Sequence, residues 1–277
     1  MTNVAMTIAG SDSGGGAGIQ ADLKTFQELG TFGTSALTAL TAQNTLGVHD
    51  VYPVAVEAVV SQISAVLNDF QVSAIKTGML FSADIIHAIA ETLKAYKQHT
   101  LIIDPVMIAK GGASLLLDDA VNALKTDLLP LATIITPNIP EAEVLTGLTI
   151  KTDSDVENAA KKLLEMGAEA VVLKGGHRDT ANYAEDLFLA ANGERFIMRS
   201  ERINTKDTHG TGCTFSAAIA ARLAQGFTAS AAVIDAKHFI QAAIANGLHL
   251  GAGHGPTNHW AYREISEKVR KEVLIIE

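Results

Sequence analysis

The chain has 277 residues, of which 48% are hydrophobic and 18% charged, so it suits one large domain or two small ones with a substantial core. Its formal net charge of -9 disfavours a general nucleic-acid or anionic-membrane binder, because either would need a basic face. The single cysteine excludes an internal disulfide and a cysteine-rich metal site, and it fits a reducing cytoplasm.

Short apolar runs alternate with segments of helical periodicity. The first run, Val4–Ala9, is predicted to be a buried strand and not part of a signal peptide, because no basic segment leads into a long apolar stretch. No apolar run reaches about 18 residues, so a membrane span is not expected. The remaining predicted strands are Thr34–Thr41, Ala74–Lys76, Leu101–Asp104, Ala132–Thr136, Ala170–Lys174, Glu185–Ala191 and Arg195–Arg199. The predicted helices are Gly18–Leu29, Glu57–Phe70, Asp84–Tyr96, Asp155–Met166, Gly212–Ala224 and Ser230–Asn246.

This alternation of apolar strands and helices predicts a mostly parallel sheet covered on both faces. Asn192-Gly193, between the last two strands, is a strong hairpin signal and adds antiparallel strands at one edge. No linker or repeat is evident, so a single α/β domain is predicted over residues 1–277. Glycine and polar residues follow nearly every strand, and sheets of this kind bind ligands at the carboxyl ends of their strands. We therefore expect one site at that edge.

The segment Thr208–Ser216 combines two glycines with the lone cysteine at the start of a predicted helix. Gly210 and Gly212 allow a sharp turn that directs several N–H groups at one point, and the helix dipole adds positive charge there. This pattern favours an anion such as a transferring phosphate. We expect a lowered thiol pKa for Cys213 at the helix N-terminus, with a packing cysteine as the alternative. The Walker A and dinucleotide-binding patterns are both absent.

Three further charged residues follow strands. Asp104 and Glu141 each come after a strand that a proline stops, and their oxygens suit Mg²⁺. The alternatives are that Asp104 caps a turn and Glu141 begins a helix. Lys174 can reach phosphate oxygens or extend to solvent. His209 is placed to orient a thiol or polarise a phosphate, and no histidine is assigned to a metal.

Eight motifs, in order along nearly the whole chain, match one family. They are Thr7–Phe26, Ala42–Thr45, Lys76–Leu80, Asp104–Met107, Thr136–Glu141, Lys174–His177, Thr208–Thr214 and Gly253–His259. In these motifs the chain resembles the hydroxymethylpyrimidine and hydroxymethylpyrimidine-phosphate kinases of thiamine biosynthesis, in the ribokinase-like superfamily. The resemblance implies a three-layer α/β/α sandwich and a homodimer, and the single cysteine predicts a cytoplasmic protein. The resemblance also implies a kinase that uses ATP and Mg²⁺ to phosphorylate 4-amino-5-hydroxymethyl-2-methylpyrimidine and then to convert the monophosphate into the diphosphate.

The same resemblance implies roles for individual residues. Cys213 is implied to take the proton from the substrate hydroxyl, at a position where most ribokinase-like enzymes have an aspartate. His209 and the anion hole of Gly210 and Gly212 complete the implied catalytic loop. Asp22 and Gln43 are implied to hydrogen-bond the pyrimidine, while Gly10, Met79 and Val106 line its pocket. Asp104 and Glu141 are implied to hold Mg²⁺, and Lys174, Thr208 and Thr211 to bind the ATP phosphates.

The nearest alternative is a pyridoxal kinase, because a related branch also has histidine and cysteine in this loop. In that branch the position of Gln43 is typically not glutamine, and the loop typically reads His-Gly-Ala-Gly-Cys. Gln43 and Thr211 therefore favour the pyrimidine, since a glutamine amide can pair with a ring nitrogen and its neighbouring amino group together. A ligand-binding regulator without turnover is a further alternative, and the four polar residues Asp104, Glu141, Lys174 and Cys213 argue against it.

Overall fold

The computed structural model describes residues 2–97, 100–107, 118–176, 182–263 and 273–276. His177, at the end of the Lys174–His177 motif, lies outside these residues. The strands are β1 (Val4–Asp12), β2 (Phe32–Asn44), β3 (Gly47–Pro53), β4 (Val72–Thr77), β5 (Leu101–Ile103), β6 (Ile134–Ile135), β7 (Ala170–Lys174), β8 (Tyr183–Ala190), β9 (Arg195–Glu201) and β10 (Val273–Ile276). The helices are α1 (Gly18–Glu28), α2 (Val56–Asp69), α3 (Ala83–Ala95), α4 (Asp118–Ala123), α5 (Ile139–Thr146), α6 (Asp153–Glu165), α7 (Thr211–Ala224) and α8 (Ala229–Ala245).

The described strands form one sheet in the order β10-β9-β8-β7-β6-β5-β4-β1-β2-β3. In this order, the six strands from β7 to β2 run parallel to one another. Each strand outside them pairs antiparallel with its neighbour. Because the central strands are parallel, their carboxyl ends meet at one edge, where their polar loops converge. The predicted hairpin of β8 and β9 is confirmed. The sheet differs from the prediction at its two edges, where β10 and β3 each add an antiparallel strand.

Alternate side chains of the strands face two separate cores. Met6 and Ile75 pack with α2 to α6 on one face, whereas Ala5 and Ala74 pack with α1, α7 and α8 on the other. Small residues on the second face allow α7, which is rich in buried alanine, to lie close to the sheet. The predicted three-layer α/β/α arrangement is therefore confirmed. Within the described ranges, no helix is both long and apolar enough to cross a membrane.

The predicted strands and helices are present, with ends that differ by a few residues. Gly167 follows α6 with φ of 114°, a positive value that favours glycine. The elements that the sequence pattern did not reveal are β3, α4, β10 and most of α5.

Candidate active site

A cavity of about 680 Å³ opens at the carboxyl edge of the parallel strands. Every site residue predicted from the sequence except Asp22 lines it. These residues are Gly10, Gln43, Met79, Asp104, Val106, Glu141, Lys174, Thr208, His209, Gly210, Thr211, Gly212 and Cys213. The order of the strands thus gathers residues as far apart in the sequence as Gly10 and Cys213.

The N-terminus of α7 projects into this cavity. Gly210 is its N-cap and has φ of 81°, in the left-handed region that favours glycine. A Cβ atom there would overlap the carbonyl oxygen of Gly16, so only glycine fits. The amides of Gly212 and Cys213 belong to the first helical turn, where N–H groups have no acceptor within the helix and the dipole is positive. The loop therefore has the form of an anion site, as the sequence predicts.

A lysine and a carboxylate lie directly beside this helix end. A Cβ on Gly212 would be 3.4 Å from Lys174 Nζ and 3.5 Å from Asp104 Oδ2. Lys174 Nζ itself lies 3.3 Å from Asp104 Oδ1. Burial alone would lower the pKa of Lys174, but the charges of Asp104 and Glu141 raise it above its usual value. The ammonium group therefore stays charged at the point where an anion would bind.

Glu141 begins α5 and also faces the cavity. It forms a capping box with Asn138: its Oε2 accepts from the Asn138 N–H at 2.8 Å, and its own N–H donates to Asn138 Oδ1 at 2.9 Å. Burial raises the pKa of Glu141 to about 7, with Lys174 opposing and Asp104 adding to the shift. The two interpretations left open by the sequence are compatible, because a helix-capping carboxylate can still offer its other oxygen to a ligand.

The donor set suits Mg²⁺ only as part of a larger complex. Asp104 and Glu141 supply hard oxygen ligands, and among the residues described no three histidine, cysteine, aspartate or glutamate side chains are grouped so that they could hold a metal ion by themselves. Mg²⁺ binds octahedrally and commonly takes one or two carboxylates together with phosphate and water oxygens. The residues present fit a magnesium ion that arrives with a phosphate ligand.

Cys213 lies half-buried in the first turn of α7. Burial raises the pKa of its thiol to about 11, although the charge of Lys76 and the Gly18 N–H oppose the increase. The expectation of a lowered pKa is therefore wrong for the ligand-free protein. The physical reason is that desolvation of a thiolate outweighs the favourable effect of the helix end.

Asp22 has no exposed surface and does not line the cavity. Its carboxylate accepts hydrogen bonds from Lys76 Nζ at 2.9 Å and from the Thr7 hydroxyl at 2.6 Å. Lys76 does line the cavity; burial alone would lower its pKa, but Asp22, Cys213 and Asp104 raise it. Asp22 is thus placed behind Lys76, one layer away from any ligand.

Gln43 and His209 meet at the cavity wall. The Gln43 side-chain Nε2 lies 3.2 Å from His209 Nε2, which in turn lies 2.8 Å from Asp12 Oδ2. Ser13 holds the backbone of Gln43 from the glycine-rich turn, since its hydroxyl lies 2.8 Å from both Gln43 N and Gln43 O. Gln43, which is predicted to bind the pyrimidine, is therefore connected to His209 of the predicted catalytic loop through Asp12 and Ser13 at the end of β1.

Comparison with known proteins shows the family to which the chain belongs. The family model for phosphomethylpyrimidine kinase matches residues 12–258. The hydroxymethylpyrimidine/phosphomethylpyrimidine kinase of Haemophilus influenzae is 56% identical over 269 residues, which cover 96% of this chain and 100% of that protein. The chain belongs to the phosphomethylpyrimidine kinase family. The resemblance stated from the motifs is thereby confirmed.

Solved structures similar to this family member include enzymes named for a different substrate. The pyridoxal kinase of Bacillus subtilis, solved with ADP, is 43% identical with a TM-score of 0.88, and the match covers 95% of this chain and 99% of that one. The pyridoxal kinase of Staphylococcus aureus, solved with AMP-PCP and pyridoxal, is 37% identical with a TM-score of 0.90, and covers 100% and 99%. These likenesses confirm the ribokinase-like fold and show that close relatives bind adenine nucleotides.

Four charged residues around the cavity were not assigned from the sequence. Asp12 and Lys76 are described above. Lys237 Nζ lies 2.8 Å from Asp186 Oδ2 in a second buried ion pair, and Asp186 Oδ1 accepts from the Gly175 N–H at 3.0 Å, next to Lys174. The available signal was a charged residue within an otherwise apolar strand or helix, since such a residue is rarely buried without a partner.

Proposed function

We propose that the protein transfers phosphate from ATP to 4-amino-5-hydroxymethyl-2-methylpyrimidine, and then to the resulting monophosphate to give the diphosphate. The observation that carries the proposal is that one cavity brings the anion site of α7, Lys174 and Asp104 together with Gln43. It is supported by the name of a relative whose whole length matches 96% of this chain at 56% identity.

In the proposed site, the phosphates bind at the N-terminus of α7. The amides of Gly210 and Gly212 and the ammonium of Lys174 stabilise the charge on the transferring phosphoryl group. Thr208 and Thr211 border the same end of the cavity and bind the ATP phosphates. Catalysis is then mostly positioning and electrostatic stabilisation, which is the usual pattern for phosphoryl transfer.

Asp104 and Glu141 are proposed to hold Mg²⁺ together with the ATP phosphates. When bound, the ion neutralises charge on the phosphate oxygens. Lys174 is already held 3.3 Å from Asp104, so the ammonium and the metal-binding carboxylate are fixed relative to each other before any ligand enters. Burial raises the pKa of Glu141 to about 7, and a cation bound beside it would lower that pKa and so favour the ionised carboxylate at neutral pH.

The pyrimidine is proposed to bind between the ends of β1, β2 and β4. Gly10, Met79 and Val106 form the apolar wall, and the Gln43 amide pairs with the amino group and the adjoining ring nitrogen. Asp22 is proposed to act through Lys76, a residue that lines the cavity and whose buried ammonium lies 2.9 Å from the Asp22 carboxylate. This differs from a direct hydrogen bond to the ligand, for which Asp22 has no exposed atom.

Cys213 is proposed to accept the proton of the substrate hydroxyl. Lys76 is the charge that most favours the thiolate, and it is held in place by Asp22. The second acceptor is a phosphate monoester that is already ionised above about pH 6, so it has no hydroxyl proton to lose. The base is therefore needed for the first transfer and much less for the second.

Three further expectations belong to this proposal. We expect a cytoplasmic protein, which the single cysteine supports, and a single domain over residues 1–277, which one sheet joining all described strands supports. We expect a homodimer, and the exposed apolar side chains Leu40, Leu46 and Tyr52 on β2, β3 and their connection are available for such contacts. Size-exclusion chromatography with light scattering tests the dimer directly.

A pyridoxal kinase is the second candidate, because several solved structures that match nearly all of this chain carry that name. The two candidates differ at Gln43. Pyridoxal has a ring hydroxyl and a ring nitrogen that are separated by a substituted carbon, so one amide cannot pair with both. In an aminopyrimidine the amino group is attached to the carbon that is bonded to the ring nitrogen, so one amide can pair with the amino donor and the nitrogen acceptor together.

The proposal is tested by following the products. The purified protein is incubated with Mg²⁺, ATP and the hydroxymethylpyrimidine, and phosphorus NMR records monophosphate and then diphosphate esters. We expect both species to appear in that order, with ADP formed in equal amount to the phosphate transferred. ADP formed without either ester, or no ADP at all, contradicts the proposal.

A further inference from the structure

Asp12, at the end of β1, accepts an unusual number of hydrogen bonds for a side chain that is 3% exposed. Its Oδ1 accepts from the Gly14 N–H at 2.8 Å, and its Oδ2 accepts from the N–H groups of Gly16 at 3.0 Å and Ala17 at 2.8 Å. Burial alone would raise the pKa of Asp12, but His209 and these N–H groups hold it below its usual value. The carboxylate is therefore ionised at neutral pH and can only accept.

This fixes the proton on His209. The Nε2 atom of His209 lies 2.8 Å from Asp12 Oδ2, so it must donate a hydrogen to that oxygen. A ring nitrogen that carries a hydrogen cannot also accept one. His209 Nε2 is therefore a donor toward every other group around it, whether the ring is neutral or protonated.

The Gln43 amide then has only one consistent orientation. With its nitrogen 3.2 Å from His209 Nε2, two donors face each other. With its oxygen 3.1 Å from the Thr41 hydroxyl, that hydroxyl would need a second hydrogen, because its one hydrogen is donated to the Ser11 carbonyl at 2.8 Å. Exchanging the amide nitrogen and oxygen resolves both conflicts, since the two atoms occupy nearly the same positions.

In the exchanged orientation every contact pairs a donor with an acceptor. His209 donates to Asp12 and, at longer range, to the Gln43 oxygen; the Gln43 nitrogen donates to Thr41; and Thr41 donates to Ser11. Each amide atom still has one unused position, a lone pair on the oxygen and a hydrogen on the nitrogen. An amide oxygen that accepts and an amide nitrogen that donates are what an amino group beside a ring nitrogen requires of its partner.

We propose that Asp12 is a positioning residue that acts through His209 to orient the Gln43 amide, with its oxygen toward His209 and its nitrogen toward Thr41, for recognition of an aminopyrimidine. The identity of the ligand rests on the proposed function, whereas the orientation of the amide does not. Because the hydroxymethyl group has to face α7, the ring cannot turn over to match a reversed amide. Asp12 thus contributes to substrate selection without touching the substrate.

The hydrogen-bond chain is tested without any substrate. Long-range ¹H–¹⁵N NMR of the histidine rings reports which nitrogen of His209 carries hydrogen, and we expect it to be Nε2 in the wild-type protein. Asp12→Asn should weaken or reverse this preference. His209 protonated only at Nδ1 in the wild type overturns the proposal, whatever the enzyme's substrate is.

The effect on recognition is tested by calorimetry with two ligands, the hydroxymethylpyrimidine and its analogue without the 4-amino group. We expect the wild type to prefer the amino compound by roughly tenfold or more, and Asp12→Asn to lose most of this preference. Thr41→Val is a second variant that removes the other partner of the amide and leaves the glycine-rich turn intact, and it should also reduce the preference. In a Gln43→Leu background, Asp12→Asn should change the preference no further.

The outcomes of these experiments distinguish an error in the role of Asp12 from an error in the proposed function. Equal weakening of both ligands by Asp12→Asn, or the same loss of preference with and without Gln43, assigns Asp12 a merely structural role and overturns the proposal. Absence of binding of either pyrimidine to the wild type contradicts the proposed function, while the tautomer of His209 still decides the hydrogen-bond chain.

Discussion

Replacing Cys213 by alanine should slow the first phosphoryl transfer much more than the second. A positioned general base contributes roughly 10²- to 10⁴-fold to a rate, and we expect the first transfer to lose a factor in this range. The second acceptor is an ionised phosphate, so its rate should fall by less than about tenfold, which is the change expected from altered packing alone.

The size of the pH effect follows from the environment of the thiol. Because burial raises the pKa of Cys213 to about 11, only about 10⁻⁴ of the ligand-free protein carries a thiolate at pH 7. That fraction increases tenfold with each pH unit. At limiting ATP and pyrimidine, the rate of the first transfer should therefore rise about tenfold per unit between pH 7 and 9, and the rate of the second should stay nearly flat.

Single-turnover measurements of each transfer, with wild type, Cys213→Ala and Cys213→Ser, test this reasoning. Serine keeps the size and a hydrogen-bond donor but is a far poorer proton acceptor, so it should not restore the first transfer. Equal losses in both transfers, or rescue by serine with a flat pH profile, would refute the role as proton acceptor and leave Cys213 a positioning role.

Three further substitutions probe the surrounding structure. Lys76→Met leaves Asp22 as an unpaired buried charge and should lower the free energy of unfolding by roughly 3–5 kcal/mol in urea titrations, with Lys76→Met/Asp22→Asn recovering part of the loss; no loss in the single variant contradicts the buried pair. The pKa of Glu141 is raised to about 7 on folding, so its ionisation opposes folding. Between pH 5 and 8 in EDTA, the free energy of unfolding of the wild type should therefore fall by a few kcal/mol relative to that of Glu141→Gln. Parallel plots of unfolding free energy against pH for the two proteins would argue against this. Gly210→Ala should lower activity more than tenfold. Gly226→Ala is the control, because Gly226 has a similar φ of 86° but no atom within 4 Å of an added Cβ, and it should lower stability by only about 1–2 kcal/mol. Equal activity of the two variants would show that the contact with Gly16 does not exclude a side chain at position 210.

The sequence predicted the architecture because the central strands are short apolar runs that end in polar loops. Ala170–Lys174 has the same limits in the structure as in the prediction, and the strand ends carry nearly all of the cavity residues. Gly47–Pro53 was missed because it is an edge strand with mostly exposed side chains, so its composition lacks an apolar pattern.

The details of the site depend on contacts that no local pattern contains. Asp12 meets His209 across 197 positions of the sequence, and Lys76 meets Asp22 across 54. The pKa of Cys213 depends on two opposing effects, burial and the helix end, and only their relative size in the folded chain decides the direction. Motif spacing identifies which residues gather at the cavity, but it does not determine which of them remain exposed to a ligand.

Substrate selection is tested by comparing three acceptors in one assay of ADP release with Mg²⁺ and ATP. The acceptors are the hydroxymethylpyrimidine, its monophosphate and pyridoxal, and the quantity is kcat/KM for each. We predict that both pyrimidines exceed pyridoxal by at least roughly tenfold, which is the discrimination expected from one amide pairing with two adjacent ring groups. A higher kcat/KM for pyridoxal would place the protein with the pyridoxal kinases and show that Gln43 does not select the substrate.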